Sequence, residues 1–89
     1  MLKKIAVDFD GTLCEYAFPK IGGQTAQQKE LLEILIELKK EGHKIILWTN
    51  RGDNDKYKVL TEAIDWCRSK GLEFDAINEN LPNKKKISG

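Results

Sequence analysis

Hydrophobic and polar positions along this chain fall into five periodic stretches separated by polar breaks. Residues 4–9 (KIAVDF) form a short apolar run of strand type, with β-branched Ile5 and Val7, and the run stops at Asp10-Gly11, a turn dipeptide. An irregular stretch, 12–24, follows and holds Pro19 and the pair Gly22-Gly23. Thr25 with Gln28 three positions on fits a capping box, in which hydroxyl and amide satisfy orphan N–H groups reciprocally. Leu31, Leu32, Leu35 and Leu38 then recur at helical spacing, Ile34 and Ile36 widen the apolar face, and Gly42 supplies a stop. Residues 44–49 (KIILWT) are almost continuously apolar, as in a strand buried on both faces, until Asn50-Arg51-Gly52-Asp53 breaks the run. A second amphipathic helix is predicted over roughly 55–70, with Tyr57, Leu60, Ile64 and Cys67 on one face and Gly71 as its stop. Residues 72–78 (LEFDAIN) read as a third strand. From Leu81 onward the chain is polar and basic, through Lys84-Lys85-Lys86, and Ile87 is its last apolar residue.

Strand–helix–strand–helix–strand with crossovers of this length predicts an α/β domain of parallel strands and right-handed connections, a single domain over 1–89. Ligands of such sheets bind outside the carboxyl ends of the strands. The sequence places Asp8, Asp10, Thr49, Asn50, Arg51 and Asn78 there, all polar and drawn from three strands. Composition narrows the field. Fifteen Lys+Arg against fourteen Asp+Glu leave a formal charge of +1, which gives no general electrostatic reason to expect nucleic acid or an anionic membrane. Apolar runs such as 45–48 fall far short of the ~20 residues of a membrane span. Two N-terminal lysines lead at once into Asp8 and Asp10, unlike a signal peptide. Cys14 and Cys67 make neither a zinc site nor a disulfide framework, so reduced thiols and a cytoplasmic location are expected. Trp48 and Trp66 occupy core-type positions, and His43, after the helix stop, suits a partner for the helix dipole.

Asp8-Phe9-Asp10 is the sharpest local feature. Two carboxylates at the carboxyl edge of a strand can hold a hard cation such as Mg²⁺, or divide nucleophilic and proton-transfer roles. The same residues also suit an ordinary acidic turn. The string Ala6-Val7-Asp8-Phe9-Asp10-Gly11-Thr12-Leu13 resembles the first motif of the haloacid dehalogenase superfamily, an apolar strand ending in D-x-D-G-T-L. Residues 44–49, followed by Asn50-Arg51, are similar to the family's second motif, an apolar strand ending in Thr or Ser. The resemblance covers roughly residues 1–86. It implies a three-layer Rossmann-like parallel sheet, of which three strands and two helices are evident.

It also implies a function: a Mg²⁺-dependent phosphomonoester hydrolase acting through an aspartyl-phosphate. By the same resemblance Asp8 is the nucleophile and a metal ligand. Asp10 is the general acid–base, and its backbone carbonyl also binds the metal. Thr49 donates to the phosphoryl oxygens, and a lysine of the 84–86 run, with Lys86 preferred, pairs with the nucleophile and phosphate. Such roles suit phosphoryl transfer, which is catalysed by positioning and by neutralising charge on the equatorial oxygens. Gly11, Thr12, Asn50 and Arg51 flank these residues as candidate substrate-binding positions. For Arg51 the alternatives are a bidentate fork on the substrate's phosphate and a loop ion pair with Asp53 or Asp55.

The resemblance breaks at the family's fourth motif, acidic residues after a fourth strand. Asp75 is expected near the start of the third strand, away from the site, and Glu79 on the correct edge but on a different strand. The first strand is then an apolar edge, which invites pairing, so either the chain is a shortened version of a longer protein, the preferred reading, or a partner chain such as a second copy covers that edge. The rival reading is a catalytically inactive binding or assembly module of the same fold. The 12–24 segment is long enough for a flap but not for a cap domain. An open site of that kind suits a phosphorylated small molecule, nucleotide or polymer end, and the sequence does not choose among them.

Overall fold

The computed structural model describes residues 2–79. The elements run β1 (Lys4–Val7), α1 (Ala26–Lys40), β2 (Lys44–Leu47), α2 (Val59–Ser69) and β3 (Ala76–Ile77). The three strands form one parallel sheet in the order β1-β2-β3, with Ile5 opposite Ile45, Val7 opposite Leu47, and Ile46 opposite Ala76. Among the described residues β1 is therefore an edge strand.

Capping explains where the helices begin and end. Thr25 accepts from the Gln28 amide at 3.1 Å while the Gln28 side chain accepts from the Thr25 amide at 2.9 Å, completing the predicted box. Both helices finish in the same way. Gly42 and Gly71 take positive φ (103° and 100°), and the amides after them, His43 and Leu72, reach back to Leu38 and Cys67 carbonyls. That six-to-one closure requires the left-handed conformation glycine adopts without strain.

Helix α2 starts four positions later than its apolar pattern suggests. Asn54 Oδ1 accepts from the Lys56 and Tyr57 amides, which folds 54–57 into a turn. Asp53 then accepts from the Leu60 and Thr61 amides and from the Thr61 hydroxyl, capping the helix from outside it. Tyr57 thus lies ahead of the helix and exposed, not on its buried face. The third strand is also shorter than expected. Leu72 is buried in the turn after α2, and the Asp75 carboxylate takes the Ile45 amide at 2.8 Å just before β3 begins.

Ile45 and Leu47 join Val7, Phe9, Leu13 and Cys14 in one core cluster with Leu32 and Leu35 of α1 and Ala63 and Cys67 of α2. Both helices therefore pack on the same face of the sheet, as right-handed crossovers advancing in one direction require. The described residues make two layers, one of helices and one of strands. Residues 45–47 are all buried, in line with the continuous apolar run, whereas Trp48 is 38% exposed and is not a core residue. Trp66 does pack, edge-on against Phe9 at 5.6 Å between ring centroids. No described helix is long and apolar enough to cross a membrane.

Candidate functional site

Strands β1 and β2 both end where the site begins. Just beyond Val7, Asp8 is exposed, and one of its carboxylate oxygens, Oδ1, accepts from the next residue's amide (Phe9) at 2.7 Å. The other oxygen has no hydrogen-bond partner among the described residues. Phe9 then plunges into the core, so Asp10 emerges on the same edge as Asp8. Asp8, Asp10, Thr49, Asn50 and Arg51 line one cavity of about 180 Å³ together with Tyr16 and Phe18.

Arg51 organises this cluster in a way neither alternative for it anticipated. Its side chain is 1% exposed. All five N–H bonds of the guanidinium have acceptors within the chain: Nε and Nη2 grip the two oxygens of Asp10 at 2.9 and 2.8 Å, Nη2 also reaches Lys20 O, and Nη1 reaches Val59 O and Pro19 O. The rings of Phe9 and Phe18 lie 5.0 and 5.3 Å from its central carbon. The hydrogen bond to Asp10 outweighs burial and holds the guanidinium pKa above its ordinary value. In this arrangement Arg51 has no N–H left for a phosphate, and its partner is Asp10, not Asp53 or Asp55. It is a clamp on Asp10, on the 12–24 loop and on the start of α2.

Thr49 is placed by the end of β3 and by its own loop. Its amide donates to Asn78 Oδ1 at 2.8 Å, and its hydroxyl oxygen accepts from the Arg51 amide at 3.2 Å. That leaves the hydroxyl proton available to a ligand. Asn78 adopts φ 55°, which turns the chain out of β3 toward Thr49. Gly11 and Thr12 do not line the cavity. The Gly11 amide closes onto Cys14 O at 2.8 Å and the Thr12 amide onto Phe9 O at 3.1 Å, so the turn that buries Leu13 and Cys14 consumes the donors expected to meet substrate.

The 12–24 segment is a compact flap. Glu15 donates to Gly23 O at 2.7 Å and the Gln24 side chain donates to Leu13 O at 2.9 Å, which brings its ends together. It delivers Tyr16 and Phe18 to the cavity wall, two residues that sequence reasoning passed over. The available signal was a pair of aromatic residues, Tyr16 and Phe18, in an irregular loop beside a strand's carboxyl edge. Lys86 and its neighbours Lys84 and Lys85 lie outside the described residues.

Several other residues stay clear of the site. The Asp75 carboxylate is bound to Lys39 Nζ at 2.6 Å and to the Ile45 amide, at the opposite end of the sheet, as expected. His43 Nδ1 accepts from the Lys3 amide at 3.0 Å, tying the start of β2 to the approach to β1. Burial pushes the Cys14 thiol above its ordinary pKa and the Cys67 thiol up to about 12, which makes both poor nucleophiles.

Among the described residues no group of three or more His, Cys, Asp or Glu comes together to hold a metal ion. One accessible carboxylate oxygen on Asp8 beside a second acidic residue still suits Mg²⁺, which commonly takes one or two carboxylates and completes its shell with water and substrate phosphate. With the Asp10 carboxylate gripped by Arg51, the Asp8 carboxylate is the group that fits.

No family model matches the chain, and no curated protein does. A solved structure, that of a conserved protein from Bacteroides thetaiotaomicron, is similar at 41% sequence identity with a TM-score of 0.71. The similarity covers 97% of this chain and 65% of that one.

Proposed function

We propose that this chain carries the nucleophile and acid–base pair of a Mg²⁺-dependent phosphomonoester hydrolase that works through an aspartyl-phosphate. In that reading the sheet belongs to a three-layer Rossmann-like domain of the haloacid dehalogenase type, in a cytoplasmic setting. The observation that carries it is the convergence of Asp8, Asp10 and Thr49 on one cavity at the carboxyl ends of β1 and β2, with Asp8 exposed and Asp10 fixed.

Asp8 attacks phosphorus with the oxygen that makes no hydrogen bond among the described residues, and the bond from phosphorus to the leaving oxygen breaks. Asp10 gives its proton to that oxygen. Water then attacks the phospho-aspartate, its proton passes to Asp10, and the bond to Asp8 breaks to release inorganic phosphate. A carboxylate has about four lone-pair sites, so the Arg51 fork occupies two and leaves two for proton transfer. The Thr49 hydroxyl donates to a phosphoryl oxygen, and Lys86 is assigned the cationic partner. Bound Mg²⁺, held by the Asp8 carboxylate and, as the resemblance implies, the Asp10 carbonyl, supplies neutralisation of phosphate charge.

The alternative, a binding module that does not turn substrate over, draws on the commitment of both Asp10 oxygens to Arg51. Hydrolysis of an aryl phosphate separates the two, measured with Mg²⁺ and with chelator for the wild type and Asp8→Asn. The asparagine keeps an oxygen for the Phe9 amide, so the fold, checked by circular dichroism, is retained while turnover falls to background. Undiminished hydrolysis by Asp8→Asn would overturn the mechanism, and a wild type without Mg²⁺-dependent activity would favour the binding module.

A further inference from the structure

A second groove of about 420 Å³ opens beside the carboxylate cavity, lined by Phe18, Pro19, Asn50, Asn54, Tyr57 and Val59 among others. That volume falls within the range of small-molecule sites. The two spaces share Phe18 and Asn50, so a ligand with its phosphate at Asp8 extends directly into the groove. Phe18 and Tyr57 come from different loops and are 46% and 59% exposed. Single exposed aromatics are common, but two bordering one groove that is continuous with a carboxylate pair form a patch.

The walls of this groove are held in place. Arg51 donates from one nitrogen to both Pro19 O and Val59 O, joining the loop of Phe18 to the start of α2. Asn54 fixes Tyr57 on both sides of its backbone, accepting from its amide at 2.7 Å and donating to its carbonyl at 2.9 Å. The groove is poor in groups for hydroxyls. Asn54 Oδ1 is spent on two backbone amides, so the side-chain polar groups left are its Nδ2, the Tyr57 hydroxyl and the amide of Asn50, whose side chain makes no hydrogen bond among the described residues. Aromatic faces with a spare carboxamide match a planar ring that carries donors and acceptors on its edge, and carboxamides pair with nucleobases in this way.

We propose that this groove seats the base of a nucleoside monophosphate whose phosphate lies at Asp8, a substrate assignment that rests on the hydrolase reading. The test titrates the non-hydrolysing Asp8→Asn chain calorimetrically, with Mg²⁺, against adenosine 5′-monophosphate and ribose 5-phosphate, which differ by the base. Stacking of this kind is strong enough for adenosine monophosphate to bind about tenfold tighter or more. Tyr57→Ala in the same background should bring the two affinities to within about twofold, and Tyr57→Phe should restore the gap. Equal affinities, no binding of either compound, or a gap that survives Tyr57→Ala would overturn the assignment. Wild-type turnover of adenosine 5′-monophosphate, measured in parallel, tests the hydrolase reading separately: a base-dependent gap without turnover keeps the ring site and removes the hydrolysis.

Discussion

Replacing Arg51 with methionine keeps a long apolar stem in place and removes every hydrogen bond the guanidinium makes. Asp10, whose side chain is 12% exposed, then loses its charged partner and both hydrogen bonds from it, and the carbonyls of Pro19, Lys20 and Val59 lose a donor each. Removing one member of a buried ion pair costs about 3–5 kcal/mol, mainly because the other charge stays behind unpaired. A chain of this length has a total stability of about 4–13 kcal/mol at typical values per residue, so the loss is a large fraction of it. Urea unfolding followed by tryptophan fluorescence is the assay, since Trp66 packs on Phe9 and Phe9 packs on Arg51. With a slope of about 1.5 kcal/mol per molar urea, the midpoint should fall by about 2 M or more. Arg51→Lys keeps the charge but cannot span two carboxylate oxygens and three carbonyls, so it should recover less than half of the loss. The double variant Asp10→Asn with Arg51→Met should lose less than the sum of the single changes, because it leaves no orphaned charge. A midpoint shift below about 0.5 M for Arg51→Met would refute the clamp, since the five bonds would then contribute little.

Acid sensitivity should trace in part to Asp75. Burial raises its carboxyl pKa, but the hydrogen bond from Lys39, the Ile45 amide and the charge of Lys44 outweigh burial and hold it below the ordinary 3.8. A depressed folded pKa stabilises the protein above the unfolded value and is lost as pH falls through the folded one. Asp75→Asn should therefore lower stability at neutral pH and flatten the decline between about pH 5 and pH 2, read from unfolding free energies across that range. Parallel profiles for the two proteins would exclude this origin. Gly22→Ala should open the flap, because a Cβ there would sit 2.1 Å from the carbonyl oxygen of Glu15, which is backbone and cannot swing away. Faster amide exchange at Glu15, which bonds to Gly23 O, is the expected signature, and unchanged protection would contradict it.

Local pattern sufficed for much of this molecule, because short-range forces set it. The Thr25–Gln28 box, the helical spacing of Leu31, Leu32 and Leu35, and the stops at Gly42 and Gly71 all act within a few residues, and each stands where the periodicity puts it. The apolar runs 4–9 and 44–49 locate β1 and β2, although each strand stops two residues before its run does, and topology brought Asp8 and Thr49 to one edge. Element limits failed where a side chain competed with the backbone ladder: Asn54 and Asp53 delay α2, and Asp75 shortens β3.

Only the tertiary structure decided what the polar residues at that edge do. Arg51 and Asp10 are 41 positions apart, and nearer acids at 53 and 55 competed for the same arginine on paper. Burial settled the choice, since a guanidinium enclosed by two phenylalanine rings needs a charged partner and a full set of acceptors, and Asp10 with the carbonyls of the 12–24 loop and of Val59 provides them. The same folding spends the amides of Gly11 and Thr12 on a turn and draws Tyr16 and Phe18 to the cavity. Sequence by itself determined an α/β chain with paired acids at the carboxyl edge of its first strand. Which of those groups stay open to a ligand depended on long-range packing, because a donor or acceptor is free only when nothing else in the folded chain has taken it.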